Sequence, residues 1–285
     1  MKNLFFVLSI VAAFAVACQP KKTDTVSLTP TLTLKWETDT LLTTCESVIY
    51  DSVNNVLYVA NINGQPTGKD GNGFISQVSL DGKITNLKWA TGMDAPKGMG
   101  LFNGKLYVAD INRIHEIEIA SGKITNTYMV DSAKFLNDIT VDATGKVYVS
   151  DTGAGNIVVL DNGKISVWLT GVAGVNGLLA EGNNMQMVSF ATGVFSTVDA
   201  SKQITMRADS IDNGDGVEAV GNGAYLVSSW NGMVHYVGAD GKPIKLLDTK
   251  DDKINAADIE YIASKKLLLV PTFFKNKVRA YELTM

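Results

Sequence analysis

Cysteine and histidine are scarce in this chain, with two of each among 285 residues. Cys18 ends an apolar N-terminal segment, so Cys45 is left without an intramolecular partner, which excludes a disulfide-stapled fold. We expect Cys45 to be a small packed residue and not a nucleophile. His115 and His235 lie on two separate predicted strands, and no Ser-His-Asp arrangement can be assembled around them.

Long apolar runs and clustered positive charge are also missing beyond the N-terminal segment. No later stretch approaches the length of a membrane span, so we expect membrane contact through a lipid anchor only. The formal net charge is −4, and no basic stripe is present, which argues against a nucleic-acid partner. The sequence does not indicate an oligomeric state.

The first 17 residues have the pattern of an export signal. Lys2 gives a short positive start, an apolar stretch follows, and small residues precede Cys18. The segment resembles a bacterial lipoprotein signal, which implies lipidation of Cys18 and, with glutamine as the next residue, an outer-membrane address on the periplasmic or surface face. The alternative is a plain secretory signal or an uncleaved anchor. Residues 18–30 read as a polar tether, and residues 31–285 as one folded domain.

A short apolar phrase of the form Leu-Tyr-Val-Ala returns six times along that domain. Its copies are separated by 39 to 49 residues, near the length of one four-stranded propeller blade. We therefore predict an all-β fold, a six-bladed β-propeller. The central valines of the six copies are Val59, Val108, Val149, Val188, Val227 and Val270.

Each unit divides into short apolar runs separated by turn residues, which predicts four strands per blade. Asp81-Gly82, Ser121-Gly122 and Asp240-Gly241 are typical of the hairpin between the third and fourth strands. The last unit is one strand short at the C-terminus. Residues 31–37 alternate polar and apolar side chains, so we predict that they pair beside residues 278–283 and close the ring.

Polar residues recur about twelve positions before the motif valine, at the start of the innermost strand. Glu46, Asn137, Asn176 and Asp215 occupy this position in four blades, and they should converge at the mouth of the central channel. Carboxylate and amide oxygens suit a hard divalent cation, Ca²⁺ first, with Zn²⁺, Mg²⁺ and Mn²⁺ as alternatives. The other interpretation is that these residues are turn dipeptides between blades.

Four short motifs make the chain resemble the gluconolactonase and regucalcin family of propellers, which includes luciferin-regenerating enzymes. The motifs are Glu46-Ser47-Val48-Ile49-Tyr50, Phe135-Leu136-Asn137-Asp138, Val175-Asn176-Gly177-Leu178 and Gly214-Asp215-Gly216-Val217. They occur in the order that the family has.

The resemblance implies a metal-dependent hydrolase of lactones or related esters. Glu46, Asn176 and Asp215 would be the metal ligands, Asp215 would also be the general base, and Asn137 would bind the substrate or a metal-bound water. Phe135 stands where sugar-lactone members often carry an arginine. With Phe190 and Trp230 near the ends of second strands, it predicts an apolar mouth that binds a less polar small-molecule lactone or ester. The other interpretation is that these aromatic side chains pack within and between the blades.

A second hypothesis is a non-catalytic binding propeller. Residues 106–114 and 147–153 also resemble NHL-type repeats, many of which bind partners without chemistry. Such a propeller has no need of Glu46, Asn176 and Asp215 together. A third is that an ion at these residues is purely structural.

Overall fold

The computed structural model describes residue 1 and residues 29–285. Residues 2–17 of the predicted signal peptide, Cys18 and all but the last two residues of the predicted tether lie outside the described residues. In residues 29–285 the chain forms 24 β-strands and one three-residue 3-10 turn at Ala263–Lys265. No helix in this range has the length to span a membrane.

The strands assemble into six antiparallel sheets of four strands each, which are the six blades. Blade one contains β2 (Cys45–Asp51), β3 (Val56–Asn61), β4 (Gly73–Val78) and β5 (Ile84–Met93). Blade two contains β6 (Pro96–Phe102), β7 (Lys105–Asp110), β8 (Arg113–Glu118) and β9 (Lys123–Met129). Blade three contains β10 (Leu136–Val141), β11 (Val147–Asp151), β12 (Asn156–Asp161) and β13 (Lys164–Thr170).

The remaining three blades repeat this order from the inner to the outer strand. Blade four contains β14 (Val175–Glu181), β15 (Asn184–Ser189), β16 (Phe195–Val198) and β17 (Ile204–Ala208). Blade five contains β18 (Gly214–Gly221), β19 (Ala224–Ser229), β20 (Met233–Val237) and β21 (Pro243–Asp248). Blade six contains β22 (Glu260–Ile262), β23 (Leu267–Pro271), β24 (Val278–Thr284) and, as its outer strand, β1 (Thr31–Glu37). The predicted six-bladed propeller is confirmed.

The ring closes as predicted, with the N-terminal strand β1 completing blade six. β1 runs antiparallel to β24, with Thr31 opposite Thr284 and Trp36 opposite Ala280. On the inner side, the Asp258 N–H donates to the carbonyl of Glu46 at 3.0 Å, which joins blade six to blade one. The first and last strands of residues 29–285 thus belong to one sheet, and β24 is paired on both of its edges.

The repeated phrase forms the second strand of each blade and supplies the core. Val59, Val108, Val149, Val188 and Val227 are all fully buried between neighbouring blades. Burial of one such side chain stabilises the fold by about 1.5–3 kcal/mol. The spacing of the phrase therefore marks the spacing of the blades.

The aspartates that end two of these phrases hold the loop that leads into an inner strand. Asp110 accepts the N–H groups of Asp94 and Ala95 at 2.9 and 2.7 Å. Asp151 likewise accepts those of Lys134 and Phe135 at 2.9 and 2.8 Å. Because these buried carboxylates satisfy backbone donors, they fix the loops that lead into β6 and β10.

The predicted hairpins lie between the third and fourth strands. Gly82, Gly122, Gly163 and Gly241 adopt positive φ values of 86°, 67°, 77° and 71° there. A side chain other than glycine is strained in that conformation, so these turns need the residue that the sequence provides.

Candidate functional site

An irregularity at the start of the inner strands turns extra side chains toward the channel. In β6, β10, β14 and β18 the pairing register skips one residue near the second position, and a related shift lies in β2. Such a β-bulge breaks the strict alternation of side chains between the two faces of a strand. Consecutive residues of one inner strand can therefore both contribute to the axis.

The four polar residues predicted to converge do line one cavity. Glu46, Asn137, Asn176 and Asp215 share a pocket of about 210 Å³ at one end of the channel. Each of them is at most 8% exposed. The structure brings them together from four blades, although they are more than 35 residues apart along the chain.

Two buried acceptor oxygens at this cavity have no hydrogen-bond donor within residues 29–285. Asn176 donates through its Nδ2 to Asp215 Oδ1 at 3.0 Å, which leaves Asn176 Oδ1 free. Glu46 Oε2 also has no hydrogen-bond donor among the described residues. Buried acceptors of this kind are costly unless something supplies positive charge or protons to them.

Burial and mutual repulsion change the acidity of these carboxyl groups. Desolvation, reinforced by the nearby charge of Asp138, raises the pKa of Asp215 to about 8. Desolvation and the charge of Asp215 raise the pKa of Glu46 well above its ordinary value. An acid with a pKa near neutrality is suited to accept and return a proton.

The inner ends of the other strands extend this acidity along the channel. Asp138, Glu218, Asp258 and Glu260 line a second cavity of about 300 Å³. The charges of Glu46, Asp138 and Asp215 all act on Asp258, whose pKa lies well above its ordinary value, with desolvation as the larger cause. The axis thus collects carboxylates from blades one, three, five and six, and they cannot all be ionised cheaply without a cation.

The residues of the first cavity provide part of the coordination shell of a divalent cation. Glu46 and Asp215 offer carboxylate oxygens, and Asn176 offers the unpaired amide oxygen, which is the oxygen-only donor set that Ca²⁺ takes. Within residues 29–285, no three side chains from His, Cys, Asp and Glu come close enough to form a metal cluster. A cation here would therefore have two carboxylates and one amide from the chain, and water or ligand oxygens in its other positions.

Sequence reasoning missed Lys97, which lines the same cavity. It follows Pro96 in the bulge of β6 and is only 1% exposed. Its Nζ donates to the carbonyl of Ala95 at 2.9 Å and lies 4.6 Å from the centre of the Phe135 ring. Desolvation lowers the pKa of Lys97 to about 8, against the attraction of Glu46 and Asp110. The one feature of the sequence that could have pointed to Lys97 is a charged residue within a predicted inner strand.

The wall opposite the polar residues is apolar. Phe135, Phe190 and Trp230, which the sequence placed at the mouth, all line the cavity, and Phe273 and Ile62 join them. Trp230 and Phe273 meet edge to face with ring centres 5.6 Å apart. The site therefore combines buried polar groups with an aromatic wall, which is the usual make-up of a small-molecule pocket.

The long loop of blade one, residues 62–72, also reaches the cavity. It connects β3 to β4 and contributes Ile62 and Pro66 to the lining. Ile62, at the start of the loop, is fully buried in the pocket wall. Pro66, in the middle of the loop, lines the same pocket and is partly exposed.

Cys45 and the two histidines lie outside the cavity lining. The Cys45 thiol is fully buried and donates to the carbonyl of Lys277 at 3.1 Å, and desolvation raises its pKa to about 12. His115 contacts Asp110 and Thr127 at 3.0 Å within blade two. His235 is buried in β20 of blade five.

Comparison with known proteins finds the fold and no family. No family model matches the chain, and no curated protein matches it in sequence. A gluconolactonase from Xanthomonas campestris has a TM-score of 0.67 and 13% identity, over 84% of this chain and 86% of that chain.

Two further solved structures share the fold. A catalytically inactive virginiamycin B lyase from Staphylococcus aureus, solved with quinupristin, has a TM-score of 0.64 and 14% identity, over 90% of this chain and 100% of that chain. A chain from a nidogen/laminin complex has a TM-score of 0.57 and 17% identity, over 70% of this chain and 78% of that chain. At these identities the likeness defines a propeller, and the function has to be argued from the pocket.

Proposed function

We propose that this protein is a metal-dependent, lactonase-like hydrolase of small lactones or related esters. The observation that carries the proposal is a pair of buried acceptors, Glu46 Oε2 and Asn176 Oδ1, in one cavity with Asp215. Neither has a donor in the part of the chain that the structure describes. A gluconolactonase among the structural neighbours supports the same class of reaction.

Glu46, Asn176 and Asp215 would hold the cation, with Ca²⁺ favoured by the oxygen donors. A divalent ion at these residues supplies Lewis-acid polarisation of an ester carbonyl and lowers the pKa of water. Asp215 would take the proton from the attacking water and return it to the leaving alkoxide, because its carboxylate lines the same cavity and a bound cation would keep it ionised.

Asn137 and Phe135 orient the substrate in this proposal. Both line the cavity, Asn137 as a polar group on the innermost strand and Phe135 as part of the aromatic wall. An amide can hydrogen-bond to the ring oxygen or carbonyl of a lactone, while the wall excludes water from the reacting bond.

The test is metal content and calcium- or zinc-dependent thermal stabilisation of the purified protein. A ligand that binds only the native state at a hundred times its dissociation constant adds about 2.7 kcal/mol of stability. We expect one ion per chain in the wild type, none in Glu46→Ala/Asp215→Ala, and unchanged binding in Asp240→Ala/Glu282→Ala, which removes two carboxylates at the surface. Lactone hydrolysis should follow the same order.

Two other activities are distinguished by the same measurements. If the wild type binds no ion, the NHL-like binding propeller becomes the favoured function. The nidogen/laminin neighbour is a propeller solved in a complex between two proteins. The lyase neighbour lost its activity when a histidine was replaced by alanine. Neither His115 nor His235 lines this cavity, which argues against a lyase of that kind here.

We also propose that the propeller is lipid-anchored at the outer membrane through Cys18. Twelve residues separate Cys18 from the first strand, a tether of at most about 40 Å at full extension. Fatty-acid labelling of whole cells should mark the wild type and not Cys18→Ser, which should fractionate with the soluble envelope proteins. Labelling of the variant would contradict the anchor.

A further inference from the structure

Lys97 is a buried cation whose hydrogen-bonding capacity the protein leaves largely unused. An ammonium carries three N–H donors, and among the described residues only the carbonyl of Ala95 accepts one of them. Within residues 29–285, no carboxylate forms an ion pair with Lys97. The charges of Glu46 and Asp110 attract it from a longer distance. Burial of an ammonium this poorly paired costs free energy unless a ligand completes it.

The position of Lys97 directs those donors toward the ligand space. Its Nζ stands over the face of Phe135, at 4.6 Å from the ring centre, and both residues line the cavity. The cation–π contact holds the side chain in place without consuming an N–H donor. An oxygen that enters the cavity beside Phe135 therefore meets a preorganised positive group.

The other residues that line the cavity indicate the chemical character of the ligand that carries this oxygen. Half of the twelve lining residues are apolar or aromatic. They are Ile62, Pro66, Phe135, Phe190, Trp230 and Phe273. A polyhydroxylated ligand would leave its hydroxyl groups without partners against this wall, whereas an aromatic or alkyl body would bury apolar area.

We propose that Lys97 binds the carboxylate or carbonyl oxygen of an apolar, aryl- or alkyl-substituted ligand, and so selects this class over sugar-derived compounds. The proposal deepens the proposed function, because ring opening of such a lactone yields a hydroxy acid whose new carboxylate Lys97 would hold. Carboxylate binding needs no turnover, so it can be tested by itself.

The experiment measures binding of 3-phenylpropanoate and its neutral amide, 3-phenylpropanamide, to the purified protein by calorimetry, once in EDTA and once with excess calcium. We expect the wild type to bind the acid at least tenfold more tightly than the amide in one or both conditions. Lys97→Met, which keeps the length and removes the charge, should lose that preference, and Lys97→Arg should retain part of it.

The matched control is Lys88→Met. Lys88 also lies over an aromatic ring, 5.1 Å from the centre of Phe74, but it is exposed and outside the cavity lining. Its removal should leave both affinities unchanged. Thermal unfolding of each variant checks that it is folded, and the acid-over-amide preference of the wild type tests the proposal even if Lys97→Met does not fold.

Equal affinities of Lys97→Met and wild type for the acid would overturn the proposal. So would a wild type that prefers the amide, or that binds neither compound in either condition. Failure of the proposed function is a separate outcome: acid binding that depends on Lys97, without hydrolysis of dihydrocoumarin in calcium, would leave Lys97 as the anion-binding group of a non-catalytic propeller.

Discussion

The axial carboxyl groups should make the stability of this protein fall as pH rises. Glu260 begins β22 at the far end of the channel, where it is half-buried and lines the second cavity. Desolvation raises its pKa from 4.5 to about 8, although the backbone N–H of Tyr50 stabilises the charged form. An acid with a raised pKa binds its proton more readily in the folded chain, so its full stability is present below pH about 4.5 and is lost as pH rises through about 8.

The magnitude follows from that difference. At about 1.4 kcal/mol per pH unit, the rise gives an upper bound of about 5 kcal/mol. Because Glu260 retains some contact with water, screening reduces this, and we expect about 1–3 kcal/mol at pH 9. Glu260→Gln removes the charge and keeps an acceptor for the Tyr50 N–H. The variant should be as stable as the wild type at pH 4 and more stable at pH 9.

The assay is urea unfolding at pH 4, 7 and 9 in EDTA, which prevents a cation from neutralising the channel. Glu282→Gln is the matched control, because Glu282 is a largely exposed carboxylate that pairs with Lys35. It should leave the loss of stability between pH 7 and pH 9 unchanged, because the pKa of Glu282 is lowered by its hydrogen bond to Lys35 and this carboxylate is ionised throughout that interval. Equal slopes for wild type and Glu260→Gln would refute the reasoning, as would a wild type whose stability rises between pH 7 and pH 9.

Three further outcomes follow from the fold and site. Deletion of residues 29–38 removes the outer strand of blade six and should lower the melting temperature by on the order of 10 °C; an unchanged value would contradict the closure. Gly177→Ala places a Cβ 2.1 Å from the carbonyl of Asp215 and should cost about 1–3 kcal/mol and weaken calcium binding, measured by calorimetry. In a Cys18→Ser background, Cys45 should react with a disulfide reagent only after unfolding, because its pKa is about 12; rapid labelling of the native protein would be the contrary result.

Much of the fold was predictable because it is repetitive. The strand-two valines recur at blade spacing, and each must be buried between blades, so their period counts the blades. The alternation in Thr31–Glu37 and the short last unit predicted the pairing of β1 with β24, which the register confirms. Ring closure needs one such strand, and only one polar-apolar segment was free to supply it.

The cavity was predictable in part. Glu46, Asn137, Asn176 and Asp215 share a sequence position relative to the core valines, so rotational repetition of the blades brings them to one axis. Lys97 lies one residue beyond that position, where strict alternation would turn it away from the channel. The bulge in β6 removes that alternation, and no residue pattern in the sequence signalled it.

The sequence by itself determined the number of blades, the closure of the ring and the convergence of Glu46, Asn137, Asn176 and Asp215, because those follow from periodic burial and from turn chemistry. Only the tertiary structure decided the electrostatics of the site. Burial leaves one oxygen each of Glu46 and Asn176 without a donor among the described residues. Desolvation, with repulsion between blades, raises the acid pKa values, and a bulge brings the Lys97 ammonium against Phe135. These effects depend on distances between residues far apart in the chain, and a linear pattern does not contain such distances.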